Sequence, residues 1–231
     1  MVNICFTTYM FRTVVADKLV NLIKEGRSYT VSKGEVILST EDGKSLQLVK
    51  EGYIKRYQIT NTGNISIQSI YGPNDIFPLT YVFKLLFNKD IYSGPDTYYY
   101  EAMCKTSLCS LDGETLVQAV YADPLLYGDL LLVASERFQS NIQQLENVSL
   151  SVYYKRVAHQ LWFFANKFSD KTGDTAKIKL PLTQQDLADV LSTTRETVSL
   201  CMSELKKKKL IKTGRLIVVP SIKKLQEEAF G

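Results

Sequence analysis

The sequence contains few of the residues on which several classes of protein depend. Its 231 residues include one histidine and four cysteines, and Cys5, Cys104, Cys109 and Cys201 form no Cys-x-x-Cys pair. Disulfide-stapled secreted folds and cysteine-ligated metal sites need cysteines in even, closely spaced sets. The pattern therefore indicates a reducing compartment, and we predict a cytoplasmic protein with no metal and no cofactor.

Signatures of catalysis and of membrane insertion are also missing. A single histidine, His159, leaves little scope for Ser-His-Asp or Cys-His chemistry, and the sequence has no P-loop, no HExxH and no GxGxxG. No stretch approaches the roughly 20 apolar residues that cross a bilayer, and the N-terminus lacks a cationic segment followed by an apolar run. We therefore expect neither an enzyme nor a membrane protein, and no processing signal.

What the sequence does have is an uneven distribution of charge. Residues 155–231 carry 15 Lys and Arg against 8 Asp and Glu, whereas residues 1–154 carry 13 against 16. With 45% hydrophobic residues, the chain can also bury a substantial core. A basic C-terminal third is typical of a surface that faces a polyanion, although charge alone does not identify that partner.

The first part of the chain has the periodicity of β-strands. From about residue 28 to 112, runs such as "GYIKRYQIT" and "NISIQSI" alternate with turn sequences such as "EDGK" and "NTGN". This spacing predicts an antiparallel sandwich or barrel-like domain, in which "YIKRYQITNTGNISIQSI" forms a hairpin. The tyrosine-rich "DTYYYEAMCKTSLCSL" is expected to add another strand pair. We assign residues 1–122 to this domain.

A long helix is predicted over residues 123–153. Asp123 is suited to cap it, and Pro124 to occupy its first position. Apolar residues then recur at helical spacing, and the further leucines at 125, 131 and 132 give the helix more apolar surface than one sheet can cover.

This surplus indicates that the helix packs on its own domain and also on its twin in a homodimer. The alternative is a helix buried within one monomer. The residues that we assign to the dimer interface are Leu126, Leu130, Val133, Phe138, Ile142 and Leu145.

The last part, residues 154–231, has the pattern of a small winged unit. "SDKTGDTAKIKLP" is interpreted as a polar link, "LTQQDLADVLSTTRETVSLCMSELKKKKLI" as two helices around a tight turn, "KTGR" as a hairpin tip and "SIKKLQEEAF" as a final helix. Thr183 is predicted to cap the first helix and Thr193 the second, where Thr193 to Glu196 fit the capping-box pattern. The order predicts a winged helix-turn-helix domain.

The second of these helices has two different faces. One face is apolar and is expected to pack on the first helix; it comprises Val198, Cys201, Met202 and Leu205, opposite Leu187, Ala188 and Leu191. The other face carries Arg195, Glu196, Ser199 and Leu200.

Exposed early positions on the second helix of a helix-turn-helix reach base edges in the major groove. Arg195 can bind a guanine through two hydrogen bonds, and Glu196 can accept from a cytosine amino group. Two alternatives stay open: Glu196 only completes the capping box, or Arg195 contacts phosphate and specifies no base.

Contacts with the DNA backbone are expected around the same face. The four lysines at 206 to 209 are expected to form a solvated helix end whose positive charge complements the helix dipole. One or two of them are also candidates for contact with phosphate. The residues that we assign to the backbone are Thr183, Gln184, Thr194, Thr197, Ser203, Lys208, Lys212 and Arg215.

The stretch "LTQQDLADVLSTTRETVSLCMSELKKKKLIKTGRLIVVPSIKKL" closely resembles the winged helix of the Crp/Fnr family of bacterial transcription regulators, including its Arg-Glu-Thr-Val run. "VSKGEVILSTEDGKSLQLVKEGYIKRYQITNTGNISIQSIYGPNDIF" resembles the same family's β-roll sensor, so the resemblance covers about residues 28 to 227. It implies an α+β fold with an N-terminal antiparallel, cupin-like β-roll, a long dimerisation helix and a C-terminal winged helix-turn-helix. It also implies a homodimer on double-stranded DNA, with a near-palindromic site of roughly 20 base pairs.

The resemblance also suggests roles for individual residues. Arg195, Glu196 and Ser199 match base-reading positions of the family. Leu200 departs from the pattern, because many members have an arginine there, and a leucine can offer only an apolar contact, for example to a thymine methyl. The loop around Lys171 to Lys177 matches loops that contact RNA polymerase in the family.

An effector is not identified by the sequence. Cyclic-nucleotide-binding relatives carry a Gly-Glu pair and an Arg-Ser or Arg-Thr pair in the segment that corresponds to "PLTYVFKLLFNKDIYSGPDTYYYEAMCK". This segment has neither pair, and its cations are Lys84, Lys89 and Lys105. Because a buried phosphate would be poorly compensated, we predict that the protein does not bind cyclic AMP in the family's usual way.

Other polar and aromatic residues of interest receive structural interpretations. Cys104 and Cys109 are expected to be buried small hydrophobes, and His159 to pack or cap within its helix. The tyrosines at 98 to 100 are expected to alternate between strand faces, with an aromatic-lined pocket for an apolar effector as the open alternative. The rival function class is an interaction module that binds a small molecule or protein, and whose winged helix does not read DNA.

Overall fold

A computed structural model describes residues 16–39, 45–87, 98–150 and 152–231. It has an N-terminal body of antiparallel sheets, a long helix and a C-terminal helix-turn-helix with a small sheet. The α+β fold class predicted from the sequence is confirmed. Cys5 and Lys89 lie outside the described residues.

The N-terminal body consists of helix α1 (Asp17–Lys24), strands β1 (Arg27–Val31), β2 (Val36–Ser39), β3 (Ser45–Glu51), β4 (Ile54–Ile59), β5 (Ile65–Tyr71) and β6 (Ile76–Phe77), helix α2 (Leu79–Phe87), strands β7 (Tyr99–Ala102) and β8 (Thr106–Asp112), and helix α3 (Gly113–Ala122). The long helix is α4 (Leu125–Ser149). The C-terminal part consists of α5 (Tyr153–Lys167), β9 (Ser169–Thr172), β10 (Thr175–Ile178), α6 (Gln184–Leu191), α7 (Arg195–Lys207), β11 (Lys212–Thr213), β12 (Ile217–Val219) and α8 (Ile222–Phe230).

The body is a roll of two four-stranded sheets, with the strand orders β1-β8-β3-β6 and β2-β7-β4-β5. The hairpin predicted from "YIKRYQITNTGNISIQSI" is confirmed as β4 and β5, which pair from Ile54 with Tyr71 to Ile59 with Ile65. The expected pairing of the tyrosine-rich segment is wrong, because β7 pairs with β2 and β4 while β8 pairs with β1 and β3. Period-two alternation predicts that a segment is a strand but carries no information about its partner.

Helix α4 is shorter than the predicted 123–153: it runs from Leu125 to Ser149, and Pro124 stands at the N-cap position rather than inside the helix. Asp123 still stabilises this end, because its carboxylate accepts a hydrogen bond from the Leu125 amide at 3.1 Å. Leu126, Leu130 and Val133 are buried in a cluster with Leu19 of α1 and other residues of the roll. The predicted dimer interface is therefore corrected at these three leucine and valine positions, because their apolar surface is already covered by their own chain.

The opposite face of α4 is apolar and exposed. Leu131, Phe138 and Leu145 follow one another at intervals of seven residues, and all three are exposed. Val152, beyond the helix end, is exposed as well. Ile142, which the sequence also assigned to the interface, is half-buried on the same side. The helix thus has two apolar faces, as its surplus of leucines indicated, and only one of them is used within the chain.

The C-terminal part contains a four-stranded sheet in the order β11-β12-β10-β9. The segment "SDKTGDTAKIKLP" was expected to be a polar link, and this is wrong: it forms the β9–β10 hairpin. Its polar residues lie on the exposed face, while Ala176 and Ile178 alternate inward and are buried. The hairpin at "KTGR" and the last helix are confirmed as β11–β12 and α8.

Helix α5 lies at the centre of the C-terminal part. Its residues 157–165 are all buried, and it packs on α7 and α8. The same hydrophobic cluster includes Tyr53, Tyr57, Ile67 and Ile70, so the roll and the helix-turn-helix unit share one core. Within the described ranges, no helix combines the length and the apolar character needed to cross a membrane. The domain boundaries at 122 and 153 stay a prediction.

Candidate nucleic-acid interface

The first helix of the helix-turn-helix begins at a complete capping box. The Thr183 hydroxyl accepts from the Asp186 amide at 3.0 Å, and the Asp186 carboxylate accepts from the Thr183 amide at 3.0 Å. Thr183 is thus the cap of α6, as predicted. The helix ends at Ser192, whose φ of 50° turns the chain sharply toward α7.

The cap of α7 differs from the prediction. The Thr194 hydroxyl accepts from the Thr197 amide at 3.2 Å, while the Thr193 amide donates to the Ala188 carbonyl and so belongs to the end of α6. The predicted cap at Thr193, and with it the capping box through Glu196, is wrong. Two adjacent threonines fit the same pattern, and the left-handed residue in the turn decides which of them starts the helix. Glu196 has no capping role.

The division of α7 into two faces follows the prediction. Its apolar face is buried against the first helix; the buried residues are Val198, Cys201, Met202 and Leu205, together with Leu187, Ala188 and Leu191. On the other face Arg195, Glu196 and Leu200 are exposed and Ser199 is half-buried. The structure therefore brings the four residues assigned to base reading onto one surface, in the first two turns of α7.

Leu200 is conspicuous on this surface. It is 73% exposed, in the middle of a polar face. Its methyl groups contribute nothing to the core, so they are free to contact an apolar group of a partner, such as a thymine methyl.

A groove of about 220 Å³ runs beside this face, between α6, α7 and the β11–β12 wing. It brings together Thr183, Gln184 and Ser203, three residues assigned to the DNA backbone, with Lys206 and Thr213. Lys206 was not assigned individually from the sequence. The signal was present, because Lys206 follows Ser199 by seven residues, or about two helical turns, and so lies on the same face.

Lys208 does not lie at this groove. Its ammonium group donates to the Glu228 carboxylate at 2.7 Å and lies 4.7 Å from the centre of the Tyr154 ring. Hydrogen bonds with Glu228 and Tyr154 raise the pKa of Lys208. Nine residues after Ser199 correspond to about two and a half turns, so Lys208 lies on the opposite side of the helix, and its contact with the DNA backbone stays a prediction.

The remaining residues assigned to the backbone lie at the two ends of the surface. Thr194 and Thr197 form the α7 cap, with their hydroxyl oxygens 3.1 Å apart. Lys212 and Arg215 are exposed on the wing. These four residues flank the reading face, where phosphates would pass on either side of a groove-bound helix.

The interior of the roll contains a cation that the sequence reasoning missed. Arg56 on β4 lies 4.6 Å from the centre of the Tyr98 ring and forms a hydrogen bond with Tyr100. Its Nε is buried and has no hydrogen-bond partner among the described residues. Burial raises the pKa of the Tyr100 phenol. The signal in the sequence was that Arg56 follows the apolar Ile54 by two residues on the same strand and therefore lies on the same, inward face.

Several interpretations of single residues are confirmed. Tyr100 faces inward and stacks on Phe77, whereas Tyr99 faces outward and stacks on Tyr57. His159 is buried and packs against the rings of Trp162 and Phe230, as expected.

The cysteines follow their interpretation in part. Cys109 is fully buried and Cys104 is half-buried. Over the described ranges, no three His, Cys, Asp or Glu side chains come together as a set that could hold a metal ion.

Comparison with known proteins agrees with this geometry. Residues 155–228 match the Crp-like helix-turn-helix domain family. The chain is 22% identical over 222 residues to the CRP-like cAMP-activated global transcriptional regulator of Mycobacterium tuberculosis, covering 95% of this chain and 96% of that protein. It is also 22% identical to the fumarate and nitrate reduction regulatory protein of Escherichia coli, covering 88% of this chain and 78% of that one.

Solved structures share the fold. FixK2 from Bradyrhizobium japonicum superposes with a TM-score of 0.73 at 20% identity, covering 89% of this chain and 98% of that one. A CooA mutant from Carboxydothermus hydrogenoformans superposes with a TM-score of 0.69 at 21% identity, covering 90% of each chain.

Proposed function

We propose that this chain is a transcriptional regulator of the Crp/Fnr type that binds a near-palindromic DNA site as a homodimer and does so without cyclic AMP. The observation that carries the proposal is the exposed face of α7 formed by Arg195, Glu196, Ser199 and Leu200. Helix capping uses Thr194, so both charged side chains at the start of α7 are available to a partner.

The expected base contacts follow from the chemistry of these side chains. Arg195 donates to guanine, Glu196 accepts from a cytosine amino group, and Leu200 contacts a thymine methyl. Many members of the Crp/Fnr family have an arginine, a hydrogen-bond donor, at the position of Leu200. Because leucine offers only an apolar contact, this position should favour a base pair that contains thymine. Lys206 and the wing contact phosphates on either side.

A homodimer is supported by the exposed seven-residue column on α4. Leu131, Phe138 and Leu145 form the seam in this proposal, with Ile142 at its margin. Spacing of seven residues is typical of two helices that pack in parallel, and it would set two recognition helices side by side on successive major grooves.

Independence from cyclic AMP is supported by the roll interior. The segment after "GPNDIF" lacks an Arg-Ser or Arg-Thr pair. Among the described residues, Arg56 is a cation inside the roll, and it contacts the Tyr98 ring and forms a hydrogen bond with Tyr100. The M. tuberculosis relative is named as cAMP-activated, and this chain departs from it in our proposal. Calorimetry with cyclic AMP tests this point, and low-micromolar binding would contradict it.

Further parts of the proposal concern partners and location. We propose that the exposed β9–β10 hairpin, which includes Lys171 and Lys177, contacts RNA polymerase, that the protein is cytoplasmic, and that it has no enzymatic activity. The boundaries 1–122, 123–153 and 154–231 are the proposed domains.

The decisive experiment is selection of bound fragments from the organism's genome, followed by mobility-shift measurements at a stated salt concentration. Arg195→Ala should cost about 1 to 3 kcal/mol at one base position, whereas Lys206→Ala should weaken binding to all sequences alike. Lys224→Ala, on the exposed side of α8, is the matched control. If the wild-type protein has no preference over competitor DNA, the regulator function is refuted in favour of an interaction module.

A further inference from the structure

A charged contact joins the roll to the helix-turn-helix unit. The Lys55 ammonium on β4 lies 3.0 Å from the Glu101 carboxylate on β7 and 3.8 Å from the Asp186 carboxylate on α6. The three side chains are only 13%, 20% and 16% exposed. Lys55 and Glu101 are cross-strand neighbours, so the roll holds the lysine in place while it faces the other unit.

The charges at this contact are unbalanced. Asp189 follows Asp186 by three residues on α6, and burial raises the pKa of its carboxyl; a hydrogen bond from the Gln185 amide at 2.7 Å lowers it, the negative charge of Asp186 raises it and the positive charge of Lys55 lowers it. Lys55 contacts two carboxylates, Glu101 and Asp186, and removal of its charge would leave them to repel one another in a partly desolvated place.

Asp186 connects this contact to the proposed DNA surface. It is the carboxylate of the α6 capping box, and it accepts a hydrogen bond from the Thr183 amide. Thr183 and the adjacent Gln184 line the groove beside the reading face. The N-terminus of α6 is thus bonded on one side to the roll and borders the proposed phosphate contacts on the other.

The contact lies directly behind the interior of the roll. On the same strands, Arg56 pairs with Tyr100 one position along, and their side chains point to the opposite face of the sheet.

We propose that Lys55 is a positioning residue for DNA binding. By holding α6 on the roll, it fixes the orientation of the helix-turn-helix unit relative to the roll and to the long helix α4. The proposal rests on the function proposed above. A dimer binds both half-sites only if the distance between its two recognition helices matches the distance between the half-sites. Loss of the contact between the roll and α6 lets each helix-turn-helix unit change its orientation, which lowers the affinity for the complete site. A single half-site imposes no such condition.

The test compares binding to a complete site and to one half-site, using the full-length dimer. Lys55→Gln should weaken binding to the complete site by about 3- to 10-fold and leave the half-site affinity unchanged. It should also reduce the penalty for changing the half-site spacing by one base pair. Lys55→Arg should retain wild-type behaviour, and Lys50→Gln, which removes an exposed lysine from the same body, is the matched control.

A second variant examines the partner on α6. Asp186→Asn keeps an acceptor for the Thr183 amide but removes the charge, so it should reproduce the effect of Lys55→Gln. The double variant should be no weaker than either single one, because both remove the same contact. Equal losses on complete and half-sites, unchanged affinity on both, or additive losses would each overturn the proposal.

A measurement without DNA tests the positioning role of Lys55 independently of the proposed regulator function. Amide hydrogen exchange in α6 should be faster in Lys55→Gln than in the wild type, and unchanged in Lys50→Gln. If the wild-type protein proves not to prefer any DNA sequence, the regulator function fails while faster exchange still supports the contact. Unchanged exchange in Lys55→Gln would overturn the positioning role itself.

Discussion

Replacing Phe138 by alanine should separate dimerisation from folding. The side chain is 64% exposed in the chain and stands in the middle of the seven-residue column on α4. A phenylalanine buries about 150 to 250 Å² when fully covered, so roughly 130 Å² is left for a partner to cover. At about 25 cal/mol per Å², that surface contributes about 3 kcal/mol per protomer.

The expected loss is smaller than twice this figure, because alanine keeps its Cβ in the seam. We expect the dimer to weaken by about 4 kcal/mol, which is roughly a thousandfold in the dissociation constant. The fold of each protomer should be unaffected, since Phe138 contributes little to the core of its own chain.

Sedimentation equilibrium over a range of protein concentrations measures this change directly. Leu130→Ala is the matched control on the other face of the same helix, because Leu130 is only 2% exposed within its own chain. It should lower the free energy of unfolding by about 2 to 5 kcal/mol.

The contrast between Phe138→Ala and Leu130→Ala distinguishes the face of α4 that forms the dimer from the face that packs in the core. The proposed dimer seam is contradicted if the wild-type protein is monomeric at micromolar concentration, or if Phe138→Ala leaves the dissociation constant unchanged. It is also refuted if Leu130→Ala dissociates the dimer without destabilising the protomer.

Two further predictions concern stability. Thr194→Ala should lower the free energy of unfolding by about 1 kcal/mol, because it removes the α7 cap, whereas Thr193→Ala should have little effect; urea unfolding of both variants checks this, and the reverse order would contradict the cap assignment. Burial lowers the pKa of His159 to about 4 from its ordinary value of 6.5. Because the folded value is the lower one, the stability from the neutral ring is complete above pH 6.5 and falls as the pH drops toward 4, by up to about 1.4 kcal/mol per pH unit. His159→Phe should flatten this dependence in urea unfolding at pH 7.5 and 5.5, and an equally steep loss in the variant would speak against it.

Local sequence patterns predicted the elements whose information is local. The two faces of α7, the stabilisation of the α4 N-terminus by Asp123 and the β4–β5 hairpin each depend on residues within a few positions of one another. The cap of α7 was missed by one residue, because Thr193 and Thr194 satisfy the same pattern and the left-handed Ser192 chooses between them.

Residues that act across the fold were harder to find. Lys55 and Asp186 are 131 positions apart in the sequence, and nothing in either segment indicates that they meet. Arg56 inside the roll was likewise overlooked, since a charged residue on a strand is more often exposed than buried.

The class of the fold, the pair of helices and the exposed face of α7 follow from the sequence, because periodicity and capping depend on residues that are close together in the chain. The face of α4 that is left exposed, and the position of Lys206 rather than Lys208 beside the groove, follow only from how the chain packs. Both features depend on what the rest of the chain covers: the roll buries Leu126, Leu130 and Val133, and Glu228 of α8 engages Lys208. A residue is available to a partner only when its own chain leaves it uncovered, and that condition is set by packing between distant segments.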